Sequence, residues 1–217
     1  ATQVANIKTQ LAIEYMRGGD YRQATVSIEE ALKADSSNED AWLVRAQIYQ
    51  YLKVREKAQE SFQKALSLKP DNAEINNNYG WFLCSEMNNP AQSISYFDKA
   101  LADPTYPSPF IANLNKGICS AKMGQYSLAE AYLERSLAAQ PQFPPAFKEL
   151  ARTKMLAGNL NEADYYFRQY QSKVDVLLLG WKLATALGNS QAAYEYEAQL
   201  RANFPYSEQL QAVTTGK

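Results

Sequence analysis

The sequence contains no histidine. That absence excludes Ser-His-Asp and Cys-His catalysis, and it removes the zinc sites that depend on imidazole ligands. The glycine-rich motifs that bind nucleotide phosphates are missing as well. No set of nucleophile, base and orienting group can be assembled from the remaining residues by spacing, so the sequence favours a binding role over catalysis and predicts no cofactor.

An excess of charge and a long apolar run are also lacking. The 22 basic and 23 acidic residues give a net charge of −1, which argues against a nucleic-acid partner, since such proteins need a basic face. The longest apolar candidate, residues 176–187, is interrupted by Lys182 and is shorter than the roughly 18 residues of a membrane-spanning helix. No signal peptide is present, and the start at Ala1 suggests a mature or trimmed sequence. Any export signal or lipid-anchored cysteine is expected upstream.

A pattern that returns every 34 residues is the most informative feature that the chain does have. In its clearest copy the pattern is set by Trp42, Ala46, Tyr49, Ala58, Phe62, Ala65 and Pro70. The spacing returns in two later copies, through Asn113, Gly117, Ala129, Leu133 and Pro141, and through Phe147, Ala151, Ala163 and Phe167. This is the spacing of the tetratricopeptide repeat, in which two helices form one unit. We therefore predict an all-α fold, a superhelical solenoid of about six helix-turn-helix repeats in a single domain over 1–217, with a surface suited to holding another protein.

The predicted repeats differ in regularity. Their approximate bounds are 5–38, 39–72, 73–109, 110–143, 144–173 and 174–206, followed by a polar tail, 207–217, that is expected to fray. The fifth repeat is short, so its second helix is expected to end early, and the sixth is degenerate. The third carries an extra residue in its inner turn and a long exit at 103–109 with three prolines, which favour an extended loop. This exit is either a tolerated surface insertion or a projecting partner contact.

The first helices of successive repeats line the concave side of such an array. Asparagine is a mediocre helix former, yet five asparagines fall on the first helices of repeats three and four. Their amides suit a ligand's backbone, and nearby aromatic residues suit an anchoring role. The predicted protein-binding residues are Tyr51, Asn77, Asn78, Trp81, Asn113, Leu114, Asn115, Ile118, Lys148 and Arg152. In the alternative interpretation, some asparagines stabilise turns and Trp81 packs between helices.

The kind of ligand follows from the distribution of basic residues. Lys148 and Arg152 lie one helical turn apart, but the middle repeats lack the further Lys and Arg that a carboxylate clamp would need. The predicted ligand is therefore an extended segment bound through side chains and backbone, and not a C-terminal carboxylate.

The two cysteines fall on helices that are predicted to be neighbours. Cys84 lies near the end of the first helix of repeat three, and Cys119 lies in the first helix of repeat four. Their Cβ atoms can come within the roughly 4 Å that a disulfide requires, which would indicate an oxidising compartment. Two buried thiols acting as small apolar side chains are the alternative.

Three stretches resemble one bacterial family over essentially the whole chain. Residues 11–21 (LAIEYMRGGDY), 77–84 (NNYGWFLC) and 115–119 (NKGIC) are similar to the type IV pilus biogenesis and stability lipoproteins, the tetratricopeptide-repeat pilotin group of Gram-negative bacteria. The resemblance implies a lipoprotein on the periplasmic face of the outer membrane that helps the pilus secretin form its multimeric pore. It also implies that the secretin is the partner and that the membrane is reached only through an upstream lipid anchor.

Two other functions stay open at this point. The chain is alternatively a scaffold that stabilises assembled pilus fibres or bridges other pilus proteins. A third hypothesis is a regulatory subunit of cell-wall enzymes. Binding to cell-wall enzymes, in place of the secretin, would favour this last one.

Overall fold

A computed structural model describes residues 1–216, which form twelve α-helices and no β-strand. The prediction of an all-α fold is confirmed. The helices fall into two compact units, residues 1–123 and 124–217. The first unit contains α1 Thr2–Arg17, α2 Tyr21–Ala34, α3 Glu39–Tyr51, α4 Arg55–Leu68, α5 Ala73–Ser85, α6 Pro90–Ala102 and α7 Pro109–Lys122. The second contains α8 Tyr126–Ala139, α9 Pro144–Leu156, α10 Leu160–Ala186, α11 Ser190–Asn203 and α12 Glu208–Thr215.

Side-chain caps fix where several of the helices begin. The carboxylate of Asp20 accepts a hydrogen bond from the N–H of Gln23 at the start of α2. The side chains of Asn38 and Asn72 do the same for α3 and α5. Each cap pairs one of the backbone N–H groups that a helix start leaves unpaired. Asn38 and Asn72 are one 34-residue period apart, so the repeat in the sequence also repeats the start signal.

The inner turn of the third predicted repeat carries the extra residue expected from the sequence. Residues 86–89 connect α5 to α6, whereas residues 52–54 connect α3 to α4. Asn88 has a φ of 51°, and Lys53 has a φ of 62° in the shorter turn. Both occupy the left-handed region, where most residues other than glycine are disfavoured.

Small residues allow the helices of the first unit to approach closely. Ala12 on α1 and Ala24 on α2 are fully buried where these two helices pack together. Between α5 and α6, a Cβ added at Gly80 would lie 2.8 Å from the ring of Phe97, which is closer than a real Cβ contact. Large residues fill the space that remains, and the fully buried ones in this unit are Ile28, Ile48, Phe62, Ile75, Phe82 and Phe97.

In the second unit, one helix takes the place of two predicted ones. α10 is continuous over 27 residues, so the prediction that the second helix of repeat five ends early is wrong. The stretch 170–176 contains neither glycine nor proline, and Val174 in its middle is buried with Leu200 and Phe204. Burial of an apolar residue at the expected break favours continuing the helix.

The C-terminal segment is folded onto the second unit. The prediction that the tail is frayed is wrong for 208–215, which form α12. The hydroxyl of Ser207 accepts a hydrogen bond from the N–H of Leu210, and Leu210 and Val213 are buried against Phe204. Lys217 lies outside the described residues. None of the helices in the described part of the chain is long and apolar enough to cross a membrane.

Candidate protein-binding site

Two of the five asparagines join neighbouring helices. The Nδ2 of Asn115 on α7 donates to the Oδ1 of Asn77 on α5 at 3.1 Å. Asn76 and Asn113 instead donate to backbone carbonyls of their own helix or of the turn before it. Asn78 also donates to a backbone carbonyl, that of Glu74, and stays half-exposed. The asparagines therefore divide between the stabilising role and an inter-helical pair.

A cleft of about 520 Å³ opens beside this pair. We call it the central cleft. The residues that line it come from α3, α5, the 103–108 segment and α7, and they are Gln47, Asn72, Ala73, Glu74, Asn77, Asn78, Asp103, Thr105, Tyr106, Pro107, Ser108 and Ile111. Of the predicted binding residues, Asn77 and Asn78 line this cleft.

The proline-rich exit of the third predicted repeat forms one wall of the central cleft. Its turn is held by Asp103, whose Oδ1 accepts from the N–H and the hydroxyl of Thr105, and these bonds lower the pKa of Asp103. Tyr106 packs against the cluster of Ala73, Ala100 and Ala112. Burial, and then the nearby charge of Glu74, raise the pKa of Tyr106 to about 12. The segment is thus packed onto α5 and α7; its contact with a partner stays a prediction.

A second cleft, of about 460 Å³, continues from the first. We call it the N-terminal cleft; its lining residues, from α1, α3 and α5, are Asn6, Thr9, Gln10, Ile13, Asp40, Leu43, Val44, Gln47 and Glu74. Gln47 and Glu74 line both clefts. The two clefts therefore form one path along α1, α3, α5 and the start of α7.

Other predicted residues of the first unit lie away from the clefts. The ring of Tyr51 is 61% exposed and stacks on the ring of Tyr21, with centroids 3.7 Å apart. Trp81 is half-buried against the two cysteines and Phe97. Leu114 is buried and Ile118 is half-buried. Partner contact by these four residues stays a prediction.

Lys148 and Arg152 belong to the second unit, on α9. Both are exposed, and Arg152 pairs with Glu149 at 3.6 Å. Lys148 lines a cleft of about 410 Å³ that also includes Phe167, Tyr170 and Phe204. A role for these two residues in binding stays a prediction.

The cysteine pairing that the sequence left open is present. Cys84 on α5 and Cys119 on α7 form a disulfide, with their Cα atoms 6.1 Å apart. Both side chains are fully buried and contact Phe97. The disulfide joins the same two helices as the Asn77–Asn115 hydrogen bond, so α5 and α7 are also held together covalently.

Most residues that line the clefts were not predicted, and Asp40, Glu74 and Tyr106 are among them. Asp40 and Glu74 each occupy the second position of a helix, and they are one 34-residue period apart. That regular placement could have predicted that the two carboxylates lie at equivalent positions of neighbouring repeats. Tyr106 gave no such signal, because its position depends on how the proline-rich segment folds back.

The class of protein is given by matches to tetratricopeptide-repeat families. One tetratricopeptide-repeat family matches residues 39–72. A second matches residues 9–49 and 85–144. These matches and the twelve helices show an all-α tetratricopeptide-repeat fold of the solenoid type.

Comparison with solved structures narrows the class to a family. The chain is 77% identical to PilW, described as a widely conserved type IV pilus biogenesis factor, and covers 100% of that chain with 99% of its own at a TM-score of 0.79. The chain belongs to the PilW family of type IV pilus biogenesis proteins. It is also 29% identical over 206 residues to the type IV pilus assembly protein PilF of Pseudomonas aeruginosa, covering 81% of that protein with 93% of this chain. A structure of MamA, at 22% identity and a TM-score of 0.62 over 81% of this chain and 94% of that one, is similar in fold alone.

Proposed function

We propose that the protein is a non-enzymatic scaffold that binds the secretin of the type IV pilus and promotes assembly of its multimers. It acts at the periplasmic face of the outer membrane, attached through a lipid anchor upstream of this sequence. The observation that carries the proposal is the 77% identity to PilW over the whole of that chain. The stretch 77–84, which resembles the pilotin group, also lies on α5, the helix that lines both clefts.

The paired clefts support a protein ligand. Their walls are formed mainly by amide, hydroxyl and carboxylate side chains, which donate to and accept from a peptide backbone. Extended peptides gain affinity from such backbone contacts, and side-chain pockets add specificity. Gln47 stands where the two clefts meet, so a bound segment that follows the path must pass it.

The experiment measures detergent-resistant secretin multimers in cells that lack this protein, with the level of secretin monomer as control. We expect the multimers to disappear while the monomer persists. Restoring the wild-type gene should restore multimers in the outer-membrane fraction. Normal multimers in the outer membrane of the deletion strain would overturn the proposal and favour a scaffold that stabilises pilus fibres or bridges other pilus proteins.

Complementation with point variants then tests the clefts. A Gln47→Ala/Asn78→Ala variant removes two amides from the central cleft and should restore few multimers. Gln50→Ala, one turn further along α3 and outside both clefts, is the matched control and should restore them fully.

A further inference from the structure

The charged residues that line the paired clefts are all acidic. They are Asp40 in the N-terminal cleft, Asp103 in the central cleft, and Glu74 in both. Among residues 1–216, no lysine or arginine lines either cleft. The path is therefore negative, although the whole chain is close to neutral at −1.

None of these three carboxylates forms an ion pair within residues 1–216, and only Asp103 accepts a hydrogen bond there. Asp103 is engaged by Thr105 in the turn that shapes the cleft wall. Asp40 and Glu74 form no ion pair within residues 1–216, whereas many other carboxylates of the chain do. Burial and the neighbouring Glu39 raise the pKa of Asp40, as is expected for a carboxylate that lacks a partner of opposite charge.

A polar side chain that is almost fully buried provides a second, independent observation. Asn77 is 5% exposed, yet it lines the central cleft. Its Oδ1 accepts from Asn115, while its Nδ2 donates to no group in the described part of the chain. This nitrogen is not one of the fully buried side-chain atoms that lack a partner, so it is open to the cleft that Asn77 lines. Asn77 and Glu74 line the same cleft. The backbone carbonyl of Glu74 already accepts a hydrogen bond from the Nδ2 of Asn78 at 2.9 Å.

We propose that the paired clefts bind an extended peptide segment that carries lysine or arginine side chains. The cationic groups pair with Asp40 and Glu74, and the Nδ2 of Asn77 donates to a backbone carbonyl of the segment between them. This inference rests on the proposed function in that it names the chemistry of the partner segment at the same site. It excludes an acidic segment, because the clefts offer no cation to receive it.

The helix-start position of the two carboxylates requires a matched control. Asp40 and Glu74 both lie in the first turn of a helix. Acidic residues there stabilise the helix through its dipole, with or without a ligand. Glu56 occupies the same second position in α4 but lines neither cleft. Glu195 on α11 is likewise exposed and outside these clefts. A Glu56→Gln/Glu195→Gln variant therefore removes the same charge as Asp40→Asn/Glu74→Gln without touching the path.

The probes are overlapping twelve-residue peptides that cover the periplasmic sequence of the type IV pilus secretin. A companion set replaces every Lys and Arg by Gln, and a serine–lysine alternating peptide serves as a reference of unrelated sequence. Affinities of the peptides that bind are measured by fluorescence anisotropy at two salt concentrations. Circular dichroism confirms that each protein variant is folded.

We expect the peptides that bind to contain Lys or Arg and to lose about tenfold in affinity when these are replaced by Gln. Asp40→Asn/Glu74→Gln should weaken binding by about tenfold, with a smaller salt dependence, and the Glu56→Gln/Glu195→Gln control should bind within about twofold of wild type. Binding that is unchanged in the cleft variant overturns the inference, as does binding of peptides without Lys and Arg, or no binding by any peptide.

The two proposals fail separately. If secretin peptides bind the wild type and the Asp40→Asn/Glu74→Gln variant equally well, the secretin remains the partner and the inference is overturned. If only the serine–lysine peptide binds, and does so through Asp40 and Glu74, the inference stands and the secretin is not the partner.

Discussion

At the scale of single residues, Tyr106 links the proline-rich segment to the body of the first unit. Its ring packs beside Ala73, Ala100 and Ala112, which leave room for it because they are small. The hydroxyl lies near Glu74, in a partly buried site where a phenolate is unfavourable. The wall of the central cleft therefore depends on Tyr106 staying protonated.

We predict that Tyr106 ionises near pH 12 in the folded protein. The folded state raises its pKa to about 12 from an ordinary value near 10. The stabilisation is therefore fully present below about pH 10 and is lost as the pH rises through 12. The measurement is phenolate absorbance after a stopped-flow pH jump, taken as the difference between wild type and Tyr106→Phe.

In denaturant, the same difference should show a midpoint near 10. That result serves as the control for the folded-state value. A midpoint near 10 in the folded protein as well would show that Tyr106 is not packed as described.

Residue identities predicted some local features and missed others for physical reasons. The cysteine pair was predictable because both residues stand on first helices one repeat apart. The left-handed conformations of Lys53 and Asn88 were harder to foresee, since other inner turns use Gly19, Gly124 and Gly158 at positive φ. The turn geometry is set by the packing of the helix pair, which overrides the preference of a single residue.

At the scale of helices, the C-terminal helix shows where sequence polarity misleads. Residues 207–217 are mostly polar, which predicted fraying. Only two apolar side chains, Leu210 and Val213, dock α12 against α10 and α11, where Leu200 and Phe204 receive them. Two apolar residues one helical turn apart are too short a pattern to predict a helix from sequence. They are enough to dock a helix where neighbouring helices offer an apolar surface.

We predict that Leu210→Ala lowers the free energy of unfolding of the second unit by about 2–3 kcal/mol. The side chain is buried in the cluster around Phe204, and its truncation leaves a cavity. Urea denaturation followed by the fluorescence of Trp181, which packs against the same cluster, measures the change.

Gln211→Ala is the control for that experiment. Gln211 lies on the same helix but is exposed, so its truncation should change the stability by less than about 0.5 kcal/mol. If Leu210→Ala also left the free energy of unfolding unchanged, α12 would not be docked on the second unit.

At the scale of the whole molecule, the repeat pattern predicted the fold class but not its internal division. Periodicity reports which residues pack between neighbouring helices, and it did so correctly for the regular N-terminal repeats. It fails where a repeat is degenerate, and there the chain forms the 27-residue α10. The site was predicted in part, because Asn77 and Asn78 follow from the position of the first helices, whereas Tyr106 depends on an irregular segment.

We predict that removing the disulfide destabilises the first unit selectively. Cys84 and Cys119 are separated by 35 positions, and closing a loop of that length stabilises a fold by about 4 kcal/mol. In Cys84→Ala/Cys119→Ala, the denaturation transition reported by Trp42 and Trp81 should move to lower urea. The transition reported by Trp181 in the second unit should stay in place, because repeat proteins draw their stability from nearest neighbours.

Variants that retain either Trp181 alone or the other two tryptophans separate these signals. Reduction of the wild-type protein by dithiothreitol should reproduce the shift of the double variant. An equal shift of both transitions would show that the two units unfold as one.

The continuous α10 also limits how this protein can change its length over evolution. Repeat arrays grow and shrink by copying or losing whole helix pairs, with the cuts falling in turns. Along α10 there is no turn between Leu160 and Ala186, so a cut there would divide a helix. Even one inserted residue near Val174 would rotate everything that follows by about 100° and carry the buried face of the later half out of register with α11. Changes in repeat number are therefore tolerated only outside this stretch, and the C-terminal end of the chain is inherited as a block.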